Sequence, residues 1–189
     1  MKKLLIILIT FLLLICGFKT KSYSEIEQIA IASSLYLSTD ENGFTLTVQI
    51  VDGYDKENKS VIASEKTLNR CLEKINNKLI KNLSLAHCAV TVIDIKIKEN
   101  ELKNTLTFLK DLNKFPLNSS LVFTQSYSEL YRNDVYYNLS EFLINKKADV
   151  PLYSVLRAAS EGRTIKLPIV KREDFGYKID GFSEKEVVI

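Results

Sequence analysis

Residues 29–51 read IAIASSLYLSTDENGFTLTVQIV, and the period of this stretch decides the fold. Ile29, Ile31, Leu35 and Leu37 share one parity, with small Ser33 between them, which is the two-residue repeat of a strand. Asn42-Gly43 follows Asp40-Glu41, and Asn-Gly marks a tight hairpin because both residues tolerate the positive φ it needs. Beyond the turn, Phe44, Leu46, Val48 and Ile50 fall on one face and Thr45, Thr47 and Gln49 on the other. The stretch predicts an antiparallel hairpin with one buried face.

Moving toward the C-terminus, Asp52 to Ser60 is polar and contains Gly53, so it reads as a loop. Ser64 is placed to cap a helix with Glu65 in the first turn. Leu68, Cys71, Leu72, Ile75 and Leu79 then recur at helical spacing, opposite a polar face of Lys66, Asn69, Arg70, Lys74 and Asn77. Ala89 to Ile97, AVTVIDIKI, is rich in β-branched residues, and its first half is apolar on both faces, as in an interior strand. Leu102, Leu106, Leu109 and Leu112 predict a second helix, stopped before Phe115-Pro116. SLVFT, residues 120–124, is a further short strand. Helix starts are expected at Ser126-Tyr127-Ser128-Glu129 and Asn138-Leu139-Ser140-Glu141, from the spacing of a capping box. Pro151 and Gly162 bracket a helix over Leu152 to Glu161. Thr164 to Val170 and the tail from Gly176 read as strands, with Pro168 favouring an edge. The expected fold is α+β: a mixed sheet with an N-terminal hairpin and packed helices, a single domain over residues 23–189.

Residues 1–22 are different. Met1-Lys2-Lys3 precedes Leu4 to Phe18, in which Thr10 is the one polar residue. This run is short for a membrane-spanning helix, which needs about 20 apolar residues, and it fits the apolar region of a secretion signal. Three fates remain open: lipidation at Cys16, cleavage after Thr20-Lys21-Ser22, or retention as an anchor. Leu13-Leu14-Ile15 ahead of Cys16 places a bulky residue where a lipidation signal prefers a small one. Each fate puts the rest of the chain outside the cytoplasm, with the membrane as a partner of the N-terminal segment.

The net charge of +3 misleads. Four of the 26 basic residues lie in the first 22 positions, so the remainder carries 22 basic against 23 acidic residues. Nucleic-acid binding needs a surplus of cations to displace counterions from phosphates, and this body has none.

No catalytic motif is visible: no Gly-rich phosphate loop and no serine in a nucleophile elbow. His87, the one histidine, stands beside Cys88 at a strand entrance. Too few ligands accompany it for zinc, and the reading is a histidine bonded at the end of a strand, with no cofactor or metal. Cys71 and Cys88 are candidates for a disulfide, since export permits one. From Cys71 to Asn82 a helix rises about 16 Å, and from Ser84 to Cys88 a strand rises about 13 Å, so the two sulfurs come to similar heights if helix and strand are antiparallel. Asp94 is read as a solvent-facing acid where its strand leaves the core. Tyr127, Tyr131, Tyr136, Tyr137 and Tyr153 gather in one region and suit either the rim of a core or an interface.

Several short motifs recur in order. Glu25-Ile26-Glu27-Gln28-Ile29-Ala30-Ile31 is followed by Thr47-Val48-Gln49-Ile50-Val51, then Leu85-Ala86-His87-Cys88-Ala89-Val90, then Leu167-Pro168 and Gly181-Phe182. In this order they resemble the N-terminal region of the Ger(x)C spore-germination proteins, the C subunits of spore germinant receptors, over most of Tyr23 to Ile189. The resemblance implies a non-enzymatic, membrane-anchored subunit of a nutrient receptor on the outer face of the spore inner membrane. Its implied partners are integral-membrane receptor subunits, and it names no ligand.

Overall fold

Alternation in the opening hairpin produces two long strands, β1 (Ile29–Asp40) and β2 (Gly43–Val51), paired antiparallel from Asp40↔Gly43 to Ile31↔Val51. The computed structural model describes residues 29–51, 58–126, 130, 138–174 and 176–189. The pairing of β1 is interrupted by a bulge between Ala32 and Ser34. An extra residue flips every side chain that follows it to the other face. Ala30, Ala32, Leu35 and Leu37 therefore line one core, whereas the unbroken parity read from the sequence had grouped Ile29 and Ile31 with Leu35 and Leu37. Ser33 marks the bulge: its Oγ donates to the Gln49 carbonyl at 3.3 Å, and its own carbonyl accepts from Ala89 N.

A third strand, β3 (Asn58–Glu65), extends the hairpin antiparallel to β2, where the sequence suggested a loop and a helix cap. Ser64 bonds Thr45 Oγ1 across the two strands at 2.8 Å. The cap of α1 (Leu68–Lys78) is instead Thr67, whose side chain accepts from Arg70 N. α1 buries Leu68, Cys71 and Ile75 against the sheet, as its spacing predicts.

The chain then returns to the other side of β1 and pairs parallel to it twice. β4 (Asn82–Ser84) runs beside Ile29–Ile31, and β5 (Val90–Asp94) beside Ser34–Leu37. Between them the chain turns, with Cys88 N bonded to the Leu85 carbonyl. Val90 to Ile93 is buried on both faces, as an interior strand requires. β5 ends earlier than its composition suggested. The Asp94 carboxylate accepts from Lys96 N at 2.8 Å and its carbonyl from Ile97 N, a side-chain-supported turn that closes the strand.

α2 (Glu99–Asp111) crosses to β6 (Ser120–Thr124), which is parallel to β5 from Val90↔Ser120 to Asp94↔Thr124. α3 (Leu139–Asn145) is capped by Asn138, whose Oδ1 accepts from Ser140 N and Glu141 N. α4 (Leu152–Ser160) follows Pro151. β7 (Ile165–Glu173) and β8 (Gly176–Lys185) form a closing antiparallel hairpin. The eight strands make one mixed sheet in the order β3-β2-β1-β5-β6-β7-β8, with β4 beside β1. β3 and β8 are the outer strands, and Pro168 sits inside β7 next to Ile169, which bridges to Phe123 of β6. Proline is tolerated there because the β7–β8 ladder is irregular between Pro168 and Val170.

α1, α2 and α4 cover one face of the sheet with Leu68, Ile75, Leu102, Leu106, Leu152 and Val155. α3 covers the other over β5, β6 and β7, where Leu139 and Leu143 meet Val92, Val122 and Val170. Burying such side chains completely contributes roughly 1.5–3 kcal/mol each, and the architecture is that of mixed α+β layers around the sheet.

Candidate interaction surfaces

Reactive side chains decide whether the chain offers chemistry or only surface. Cys88 is 1% exposed. Burial pushes its thiol up to about 12, against opposing hydrogen bonds with Ser119 and Thr91. A thiol held neutral in this way is no nucleophile at neutral pH. His87 is exposed in the turn between β4 and β5, pointing the adjacent pair in opposite directions with respect to the core. Among the described residues no group of His, Cys, Asp and Glu is placed to hold a metal ion.

Cys71 and Cys88 are both buried free thiols. Cys71 Sγ donates to the Phe44 carbonyl at 3.3 Å and Cys88 Sγ to the Val90 carbonyl at 3.4 Å. Phe44 pairs with Thr39 and Val90 with Ser34, on opposite sides of β1. These heights differ by roughly 16 Å of strand, far beyond the reach of a disulfide. The equal heights expected from sequence fail because the chain turns at Leu85–Cys88 instead of extending. Cys16 lies outside the described residues, as do Tyr127, Tyr131, Tyr136 and Tyr137.

Asp94 is half-buried at the end of β5, accepting from Tyr36 Oη at 3.2 Å as well as from Lys96 N. In the first turn of α2, Glu101 accepts from Thr39 Oγ1 at 2.8 Å and from Lys98 N at 3.0 Å. Both carboxylates tie the β5–α2 connection to β1 and so fix that loop.

Two sheet edges are exposed, and both are defended. At β3, Lys78 Nζ occupies the Ile62 carbonyl at 2.5 Å. At β8 no described residue is buried, and cross-strand ion pairs stud the hairpin: Lys166–Glu184 at 3.0 Å, Lys171–Asp180 at 2.6 Å and Lys178–Glu173 at 3.3 Å. Asp180 holds the Lys171 ammonium above its ordinary pKa. Charges and a bulge on an edge strand discourage the pairing of another strand. Burial raises the phenol of Tyr177, with Arg172 opposing, where the β8 ring lies 5.7 Å from that of Phe142 on α3.

Several large apolar side chains are exposed among the described residues, Ile62, Ile80, Ile144 and Phe182 among them. Leu117 is 50% and Tyr153 57% exposed, and they are neighbours, because Tyr153 N donates to the Leu117 carbonyl at 2.9 Å. Tyrosine beside leucine offers apolar area with a polar tip, a composition favoured at protein interfaces. The helix that carries Tyr153 was legible in the sequence; the juxtaposition of Tyr153 with Leu117 depends on the 116–119 turn and was not. Among the described residues no helix is long and apolar enough to cross a membrane.

Compared with known families, the chain matches the family model described as the spore germination protein N-terminal domain over residues 22–171. No curated protein and no solved structure matches it.

Proposed function

The chain belongs to the family of spore germination protein N-terminal domains, and from that membership we propose that it is a non-enzymatic, membrane-anchored subunit of a spore germinant receptor that works through contacts with integral-membrane subunits. The observation that carries this reading is the family match across the hairpin, the parallel strands and α4. The basic start and apolar run of residues 1–18 supply the means of anchoring. On this reading the body lies on the outer face of the spore inner membrane. The buried, un-ionised Cys88 and the engaged carboxylates Asp94 and Glu101 agree with a role in contact rather than catalysis.

Leu117 and Tyr153 are the first residues to test as a partner contact. The experiment is affinity purification of the full chain from detergent-solubilised spore membranes, beside a Tyr153→Asp variant. A multi-spanning membrane protein should co-elute in constant ratio with the natural chain, and less of it with the variant. A chain that elutes alone from the membrane fraction argues for an unrelated exported scaffold instead.

A further inference from the structure

The described chain joins the sheet at Ile29, and strand register fixes what surrounds that point. Ile29 pairs with Asn82 of β4, Ile31 with Val51 at the end of β2, and Ile50 with Lys59 near the start of β3. α1 runs back toward the same end of the sheet and stops at Lys78, and residues 79–81 carry the chain into β4. Ile80, at the tip of this loop, has a relative exposure of 105%, and Val51 one of 43%. Lys59, Lys78 and Lys81 are described lysines at this end. Asp52, Asp55 and Glu57 follow Val51 in the sequence outside the described residues, so the exposed Ile80, not net charge, distinguishes this end.

A branched apolar side chain held wholly in water contributes no packing to the fold and gains from any apolar medium it enters. One medium is close by. Ten residues, 19–28, separate the apolar run from Ile29, and they span at most about 36 Å when fully extended. An anchored chain therefore keeps this end of the sheet near a lipid surface.

We propose that the α1–β4 loop is a membrane-contact element, in which Ile80 enters the boundary between headgroups and acyl chains while Lys81 faces lipid phosphates. This rests on the anchored reading given above. A single apolar tip with Lys81 beside it fits a lipid interface, and it lacks the contiguous area expected of a protein-binding patch. The domain then stands on the bilayer with the β1–β2 turn directed away from it.

The natural chain contains no tryptophan, so Ile80→Trp creates a single reporter in the full-length protein, at a position without packing to disturb. Glu41→Trp, at the far end of β1 and roughly 35 Å away, is the control. Both are reconstituted in phosphatidylethanolamine–phosphatidylglycerol vesicles with brominated acyl chains. The expected result is a blue-shifted, bromine-quenched emission from Ile80→Trp and a water-like, unquenched emission from Glu41→Trp. Flotation of the same vesicles reports anchoring separately. Protein that floats with equal, unquenched emission from both variants overturns the loop contact and leaves the anchored reading standing. Protein that fails to float overturns both. Adding Lys81→Glu to Ile80→Trp should lower quenching in phosphatidylglycerol vesicles; undiminished quenching overturns the role given to the lysine.

Discussion

Replacing Gly43 by alanine tests the hairpin on which the sheet is built. Gly43 follows the β1–β2 turn with φ of +137°, a conformation L side chains rarely adopt. Holding alanine there costs on the order of 1–3 kcal/mol. The added Cβ would also meet the Glu65 carbonyl oxygen at 2.6 Å and Lys66 Cα at 2.9 Å. Both are backbone atoms, so no side chain can rotate away. Relief requires displacing the end of β3, where Glu65 pairs with Phe44, or distorting local angles at about 1 kcal/mol for each substantial bend. The total is about 3 kcal/mol, a large share of the 5–15 kcal/mol typical of a domain. In a chain of this size it corresponds to a fall in Tm of roughly 6–12 °C. Gly162→Ala is the control: its φ is +65°, but nothing lies within 4 Å of the added atom, so only about 1–2 kcal/mol of left-handed strain applies. Thermal unfolding by circular dichroism measures both. If Gly43→Ala unfolds with the natural chain, or no earlier than Gly162→Ala, the geometry assigned to this turn is wrong.

Further outcomes follow from the same structure. Ile75, fully buried on the sheet-facing side of α1, should cost about 2–5 kcal/mol as Ile75→Ala, whereas Ile80→Ala should stay within about 0.5 kcal/mol of the natural chain in detergent; denaturant titration separates them. Native Cys71 and Cys88 should resist iodoacetamide at neutral pH and label after unfolding, because burial raises both thiols; rapid native labelling of Cys88 would contradict its placement. The Cys88 thiol, raised from 9.0 to about 12, stabilises the fold fully below pH 9. That contribution, roughly 4 kcal/mol by linkage, should drain away as pH rises from 9 toward 12. The difference in stability between the natural chain and Cys88→Ala should therefore narrow across that range, and a constant difference would refute it.

Elements were legible where apolar residues recur at a fixed period or form a short unbroken run, and were missed where burial was partial or interrupted. The β1–β2 hairpin, α1 and α2 follow from periodicity, β5 and β6 from short runs of β-branched and apolar residues, and α4 from the Pro151 and Gly162 that bracket it. β3 escaped because an edge strand needs few apolar residues: Ala63 is buried, Val61 partly so, and Ile62 is 47% exposed. The bulge at Ser33 leaves no periodic trace, since a small serine fits either parity. The same limit undid the estimate of cysteine heights, which assumed an extended Ser84–Cys88 where the chain turns. Family identity was legible because it resides in the order of short motifs, several of them on paired strands. The Leu117–Tyr153 patch and the Ile80 loop were not, since exposure is settled only when the rest of the chain has packed.

The central claim is that this domain serves nutrient germination from a position tied to the membrane. The direct measurement compares spores lacking the chain with the same spores complemented by the full chain or by a version without residues 1–22. The account predicts loss of response to at least one nutrient, restored by the full chain and not by the shortened one. Full restoration by the shortened chain, or an intact response in its absence, would contradict it.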